Sequence, residues 1–166
     1  MIIVVMGVAG AGKSTVGQLL ASELQYGFLD GDSLHPPANI QKMTMGIPLT
    51  DADRAPWLAA IHARIVGSFE RGQSLVVACS TLKQRYRDTL ADGVSITWVY
   101  LKGSEEVIRA RLLERQDHFF KAQMLASQFA DLEEPTDAIV VDVAVEPAFA
   151  VWQILNALNA ARARAS

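Results

Sequence analysis

Five short apolar runs punctuate the chain: Met1–Met6, Tyr26–Asp30, Leu75–Cys79, Ile96–Leu101 and Ile139–Val143. The first, and three of the other four, are apolar at successive positions, as a strand must be when both of its faces are covered in a parallel sheet. The segments between them change period. Val16, Leu19, Leu20 and Leu24 recur at helical spacing, as do Trp57/Leu58, Ile61, Ile65 and Phe69. Val107/Ile108 and Leu112 mark a further helix, and Val151/Trp152, Leu155 and Leu158 mark the last one. Pro37 suits the first turn of a short helix. Strands that alternate with helices predict a three-layer α/β fold, a parallel five-stranded sheet with helices on both faces. No repeat, linker or shift in composition divides the chain, so residues 1–166 read as one domain. In such sheets ligands sit beyond the carboxyl ends of the strands.

The first strand leads into Gly7-Val8-Ala9-Gly10-Ala11-Gly12-Lys13-Ser14-Thr15, which fits the phosphate-binding pattern G-x-x-x-x-G-K-[ST]. Strand, glycine loop and helix are the order that this chemistry requires. Glycines let the backbone turn tightly and approach a phosphate, and the loop N–H groups with the helix N-terminus face an anion. Lys13 can reach the β- and γ-phosphates, and the Ser14 hydroxyl can hold Mg²⁺. The loop therefore predicts binding of a nucleoside triphosphate.

Composition narrows the setting. Apolar residues make up 51%, which favours a packed core, and 15 basic against 18 acidic residues leave a net charge of −3. That balance gives no footprint for nucleic acid. The single cysteine, Cys79, allows no internal disulfide and suits a reducing cytoplasm. No basic leader precedes the first strand and no apolar run approaches the ~20 residues of a membrane span, so neither a signal peptide nor a membrane partner is expected.

The other strand ends carry further candidates. Asp30-Gly31-Asp32 puts two carboxylates at the end of the second strand, where one could accept a proton from a substrate hydroxyl or approach Mg²⁺; the same residues suit a turn. His35, Asn39 and Lys42 follow as a polar cluster, with Asn39 and Lys42 on one helix face. Asp51 or Asp53 is expected to cap the next helix. Arg54 can either occupy an exposed helical position or grip an anion. Lys83 and Arg87, one turn apart, either meet one anion or form a solvated face. Cys79 reads as a small buried hydrophobe. Arg111 and Arg115 share a helix face, where like charges repel unless an anion lies between them. They predict a lid over the nucleotide. Asp142 ends the last strand and suits a place near the nucleotide base as well as one near Mg²⁺.

Together these motifs resemble the gluconokinase family of small P-loop kinases. The matching stretches are GVAGAGKSTVG (7–17), the GDSLHPP and DADRAPWL segments within 28–58, ACSTLKQRYRD (78–88), VYLKG (99–103), the HFFK and LEEP segments within 111–135, and VVDV (140–143). Ala9 and Ala11 stand where the family carries serines, a change that leaves the backbone cradle intact. The resemblance implies a nucleoside-monophosphate-kinase-like fold with a short lid at about 111–130 and an acceptor segment at about 32–71. It implies transfer of a phosphoryl group from ATP, with Mg²⁺, to the 6-hydroxyl of D-gluconate, and a cytoplasmic homodimer. Its site assignment is Lys13, Asp32 and Arg115 as catalytic residues and residues 7–15 with Arg111 on the nucleotide. Asp32, His35, Asn39, Lys42, Arg54, Lys83, Arg87 and His118 are placed on the acceptor, with Asp30 as the second choice of base. The competing readings are a kinase for shikimate or another sugar acid, and a regulatory P-loop NTPase.

Overall fold

The computed structural model describes residues 1–114 and 118–165, with side chains outside 114–123 and 165. Five strands form one sheet: β1 (Ile2–Met6), β2 (Gly27–Asp30), β3 (Leu75–Ala78), β4 (Ile96–Lys102) and β5 (Ile139–Asp142). They run in the order β2-β3-β1-β4-β5, and every pairing is parallel. The helices are α1 (Lys13–Leu24), α2 (Pro37–Thr44), α3 (Asp51–Glu70), α4 (Gln84–Ala91), α5 (Glu105–Glu114), α6 (His118–Asp131) and α7 (Pro147–Ala165). No described helix is long and apolar enough to cross a membrane.

The period-two geometry of a strand sorts β1 between two cores. Ile3 and Val5 join Val16 and Leu20 of α1, Ile108 of α5, and Ile154 and Leu158 of α7. Ile2, Val4 and Met6 face the other way, against Trp57, Ile61 and Ile65 of α3 and Tyr86 and Leu90 of α4. The chain leaving β1 thus turns to one face of the sheet and the chain leaving the adjacent β3 turns to the other. Their carboxyl ends part at a topological switch point, where ligands of such sheets bind.

The expected strands are all present, with small differences at their ends. Tyr26 falls outside β2 because its N–H donates to Ala21 O (2.9 Å), closing α1 after Gln25 at φ 56°. Gly27 at the edge of the sheet is exposed, and Val140 of the opposite edge strand is too. Leu19, Phe69 and Trp152, which share the apolar periodicity of their helices, are also exposed.

The start of α3 differs from the expected aspartate cap. Thr50 is the N-cap: its hydroxyl accepts from Asp53 N–H (3.2 Å), and Asp53 Oδ2 accepts from Thr50 N–H (2.8 Å), a reciprocal capping box. Asp53 also takes Lys42 Nζ of α2 at 2.8 Å, so the box binds two helices. The Lys42 hydrogen bond first, then those to Thr50, hold the Asp53 carboxyl at about 2, below its ordinary 3.8. An acid depressed on folding stabilises the native state above its unfolded value and loses that contribution as pH falls through the folded one. Replacing Asp53 with Asn is therefore expected to flatten the fall in melting temperature between about pH 4 and about pH 2. Parallel curves for native and variant protein would show that this box does not hold the helices together.

Candidate active site

A cavity of ≈ 410 Å³ opens at the switch point, bounded by the glycine loop, the segment after β2, α3 and α6. The loop takes its shape from backbone conformations that a side chain would oppose. Gly10 has φ +81°, and a Cβ there would lie 2.8 Å from the Leu112 side chain of α5. Gly12 has φ +91° and precedes α1 directly. Gly10, Gly12, Ala9, Lys13, Ser14 and Thr15 line the cavity. Val8 and Ala11 are buried beneath the loop, joined by a hydrogen bond from Ala11 N–H to Val8 O. Gly7, at the end of β1, packs so closely on Leu101 that a Cβ would lie 2.9 Å from its carbonyl oxygen.

Lys13 Nζ donates to Val8 O at 3.0 Å. Burial lowers its pKa, and the nearby Asp32, Cys79 and Asp30 act in the opposite sense. Ser14 Oγ donates to Asp30 Oδ2 at 2.7 Å, while Asp30 Oδ1 accepts from Asp32 N–H at 3.1 Å. The hydroxyl and carboxylate oxygens at Ser14 and Asp30 are the hard donors that Mg²⁺ selects, so the site fits that ion. Among the described residues no cluster of three or more His, Cys, Asp or Glu side chains could hold a metal by protein ligands alone. A phosphate-bound Mg²⁺ needs only one or two carboxylates.

Asp32 lines the same cavity with an exposed carboxylate 3.9 Å from His35 Nε2. His35 lies flat on Trp57, with ring centroids 4.3 Å apart, and Trp57 Nε1 donates to Gly31 O at 2.7 Å. Burial lowers the His35 pKa, with Asp32 opposing and Arg54 adding to the effect. The imidazole is therefore neutral at neutral pH and presents one donor and one acceptor. Arg54, from the first turns of α3, also lines the cavity; its Nη1 donates to Tyr86 Oη at 3.1 Å and lies 3.5 Å from Asp131.

Asn39, Lys42, Lys83 and Arg87 lie outside the cavity wall. Asn39 is buried and donates to Asp53 O at 2.8 Å, and Lys42 is paired with the Asp53 carboxylate. Lys83 sits between Asp131 (3.1 Å) and Asp51 (3.6 Å). Arg87 is buried and donates to Thr81 O, Leu82 O and Gln84 Oε1, bracing the loop after β3. Arg115 lies outside the described residues, as does the side chain of His118. Cys79 is buried, and burial pushes its thiol pKa up, as suits a neutral packing residue.

A second cavity of ≈ 30 Å³ lies behind Gly12, lined by Arg111 of α5, Asp142 of β5 and the start of α7. Asp142 Oδ1 accepts from Ala144 N–H at 2.7 Å and so shapes the turn behind the loop. The cavity wall also contains Ser80, a small hydroxyl residue at a strand's carboxyl end as suits ligand contact, and residues not singled out in the sequence: Met43, Leu49 and Gln128. Gln128 Oε1 of α6 accepts from Ala9 N–H at 2.6 Å. It lies within 111–135, a stretch that carries the family resemblance, but only the contact with Ala9 ties it to the loop.

A family model described as an AAA domain matches residues 2–135. The thermoresistant gluconokinase of Escherichia coli (strain K12) is 47% identical over 147 residues, covering 86% of this chain and 84% of its own. The gluconokinase of Gluconobacter oxydans (strain 621H) is 48% identical over 136 residues, 81% of this chain and 76% of its own. A crystal structure of a gluconokinase from Sinorhizobium meliloti 1021 superposes with a TM-score of 0.85 at 46% identity, over 95% of this chain and 90% of that one. An APS kinase from Mycobacterium tuberculosis shares the fold at 16% identity, with a TM-score of 0.71. Identity at this level, spread over most of both chains, places the chain in the gluconokinase family of P-loop kinases.

Proposed function

We propose that this chain transfers the γ-phosphate of ATP to the 6-hydroxyl of D-gluconate, giving 6-phospho-D-gluconate and ADP. The observation that carries the reading is the meeting of Lys13, Asp32 and Arg54 on one cavity. The glycine loop binds the phosphates through its N–H groups, and Lys13 balances charge on the group in transfer. Ser14 and Asp30 would hold Mg²⁺, which neutralises phosphate charge when bound. Asp32 accepts the proton of the 6-hydroxyl as that oxygen bonds to the γ-phosphorus and the bond to the ADP oxygen breaks. Asp30 is less suited to this task because both its oxygens already accept hydrogen bonds, from Ser14 and from Asp32 N–H.

The acceptor's carboxylate is assigned to Arg54 on the cavity wall, with Lys83 joined to it through Asp131, and its hydroxyls to His35 and Asp32. Asn39, Lys42 and Arg87 act on the acceptor through the wall that they brace. The nucleotide base is placed on the side of the loop near Arg111 and Asp142, where the ≈ 30 Å³ cavity would have to widen to admit it. Residues 32–71 form the acceptor segment and residues 111–130 the lid, with Arg115 placed on the transferring phosphoryl group and His118 on the acceptor. A cytoplasmic homodimer completes the reading; Phe149 and Trp152, stacked at 5.2 Å and exposed on α7, offer it an apolar surface.

Coupled ADP release with gluconate, glucose and shikimate tests the reading. Strong dependence on gluconate is expected, with glucose poorly used because it brings no carboxylate to pair with Arg54. Equal use of glucose would remove the carboxylate grip, and acceptor-independent hydrolysis would favour a regulatory NTPase.

Three variants test the assigned roles. Lys13→Ala is expected to lower turnover by about 10²–10³, the effect of one lost charge-stabilising donor, while the circular dichroism spectrum stays native. Asp32→Asn is expected to lower turnover by about 10²–10⁴ with little change in ATP affinity by calorimetry; native turnover would move the base to Asp30. Arg115→Ala is expected to depress turnover by about 10³ or more. A rise in the gluconate KM alone would make Arg115 an acceptor ligand instead.

A further inference from the structure

Three cations, Arg54, Lys83 and Arg85, surround the ring of Tyr86, at 5.6, 5.9 and 5.5 Å from its centroid. They come from α3 and from the loop and first turn of α4. Two carboxylates balance them. Asp51 accepts from Tyr86 Oη and pairs with Arg85 and Lys83. Asp131 pairs with Lys83 at 3.1 Å and with Arg54 at 3.5 Å. Asp51 belongs to the same wall as the cations, at the start of α3. Asp131 does not: it is the last residue of α6, the helix whose Gln128, one turn earlier, reaches the glycine loop. The hydrogen bond from Lys83 to Asp131 is the main cause that raises the lysine's pKa, so this pairing dominates the electrostatics of Lys83.

Arg54 is the cation of this group that borders the main cavity. An anionic group of an acceptor that enters the cavity and seeks Arg54 meets a guanidinium already facing a carboxylate. We infer that Asp131 is an internal counter-ion that the acceptor's carboxylate replaces on Arg54 and Lys83, which makes Asp131 a specificity-determining residue. The inference rests on the acidic acceptor proposed above. An anionic acceptor exchanges one carboxylate for another and leaves the cations balanced. A neutral polyol that pushed Asp131 aside would leave Arg54 and one carboxylate unpaired, with Lys83 held by Asp51 alone, and one that left it in place would gain no charge pairing from Arg54. The internal ion thus excludes uncharged sugars at a cost in affinity for the acid. Its side chain is about one-third exposed, so the competing pairs are weak and the cost is modest.

The test is steady-state kinetics and calorimetry on Asp131→Asn, which keeps the shape and removes the charge. Loss of two partly exposed ion pairs corresponds to about a fivefold fall in the gluconate KM and Kd. The affinity for glucitol, an uncharged polyol measured as a competitive inhibitor, is expected to change by less than about twofold, because it has no charge to gain from the bared cations. Asp131→Glu restores the carboxylate and is expected to return the gluconate KM toward the native value. A raised or unchanged gluconate KM in Asp131→Asn would overturn the inference and make Asp131 a residue that merely holds Arg54 in place. Equal gains for gluconate and glucitol would overturn it too, as a general loosening of the pocket. If Asp131→Asn fails to fold, Asp131→Ser carries the same expectations. Failure of the native protein to use gluconate would instead count against the proposed function, and binding of other carboxylates to native and Asp131→Asn protein would still test the exchange.

Discussion

The burial of β1 on both faces is the constraint from which the rest follows. All five of its residues are at most 1% exposed, and three point to one core and two to the other. Each such side chain contributes about 1.5–3 kcal/mol, more than the ~1 kcal/mol of a typical hydrogen bond in the site. A strand held this firmly cannot shift its register by one residue, since that would exchange the two faces. Its end is therefore a fixed point, and the glycine loop begins there. Lys13 and Ser14 inherit their positions from that end, and Asp30 reaches Ser14 because β2 ends at the same level of the sheet.

The acceptor side is built differently. No strand carries Arg54, His35 or Asp32; they sit on short turns and on the start of α3. Their stiffness comes from polar links in place of sheet burial. Trp57 ties α3 to Gly31, His35 stacks on Trp57, and Asn39 and Lys42 fasten α2 to the Asp53 cap. A second set of links holds the end of α6: Glu133 accepts from Gln84 N–H and donates its own N–H to Leu82 O, and Glu134 takes Lys102 at 2.7 Å. The helix that carries Gln128 and Asp131 is thereby anchored at its carboxyl end, close to the loop braced by Arg87.

The fold was legible because its signals are local. Apolar runs, helical spacing and the glycine loop each span a few residues, and five strands and the loop-to-α1 start appeared where expected. The place of Lys13, Asp32, His35 and Arg54 on the cavity wall was legible for the same reason, as each lies just after a strand or at a helix start. The roles of Asn39, Lys42 and Arg87 were harder to read. A buried donor looks the same in sequence whether it faces a ligand or a backbone carbonyl, and in this structure Asn39 donates to Asp53 O and Arg87 to Thr81 O. The Thr50 cap was missed because Asp51 and Asp53 are equally good caps by residue type. Gln128 and Asp131 are set by long-range contacts, more than a hundred residues from Ala9 in one case and about fifty from Lys83 in the other.

The stack of His35 on Trp57 also gives the molecule an optical signature. The chain has three tryptophans. Trp152 is exposed on α7 and stacked on Phe149, while Trp98 is buried in β4, away from the cavity wall. Trp57 alone borders the cavity and carries an imidazole on its face. Its emission depends on the charge of that imidazole and on whatever lies against the pair. The acceptor wall therefore reports its own occupancy in intrinsic fluorescence, with no label attached.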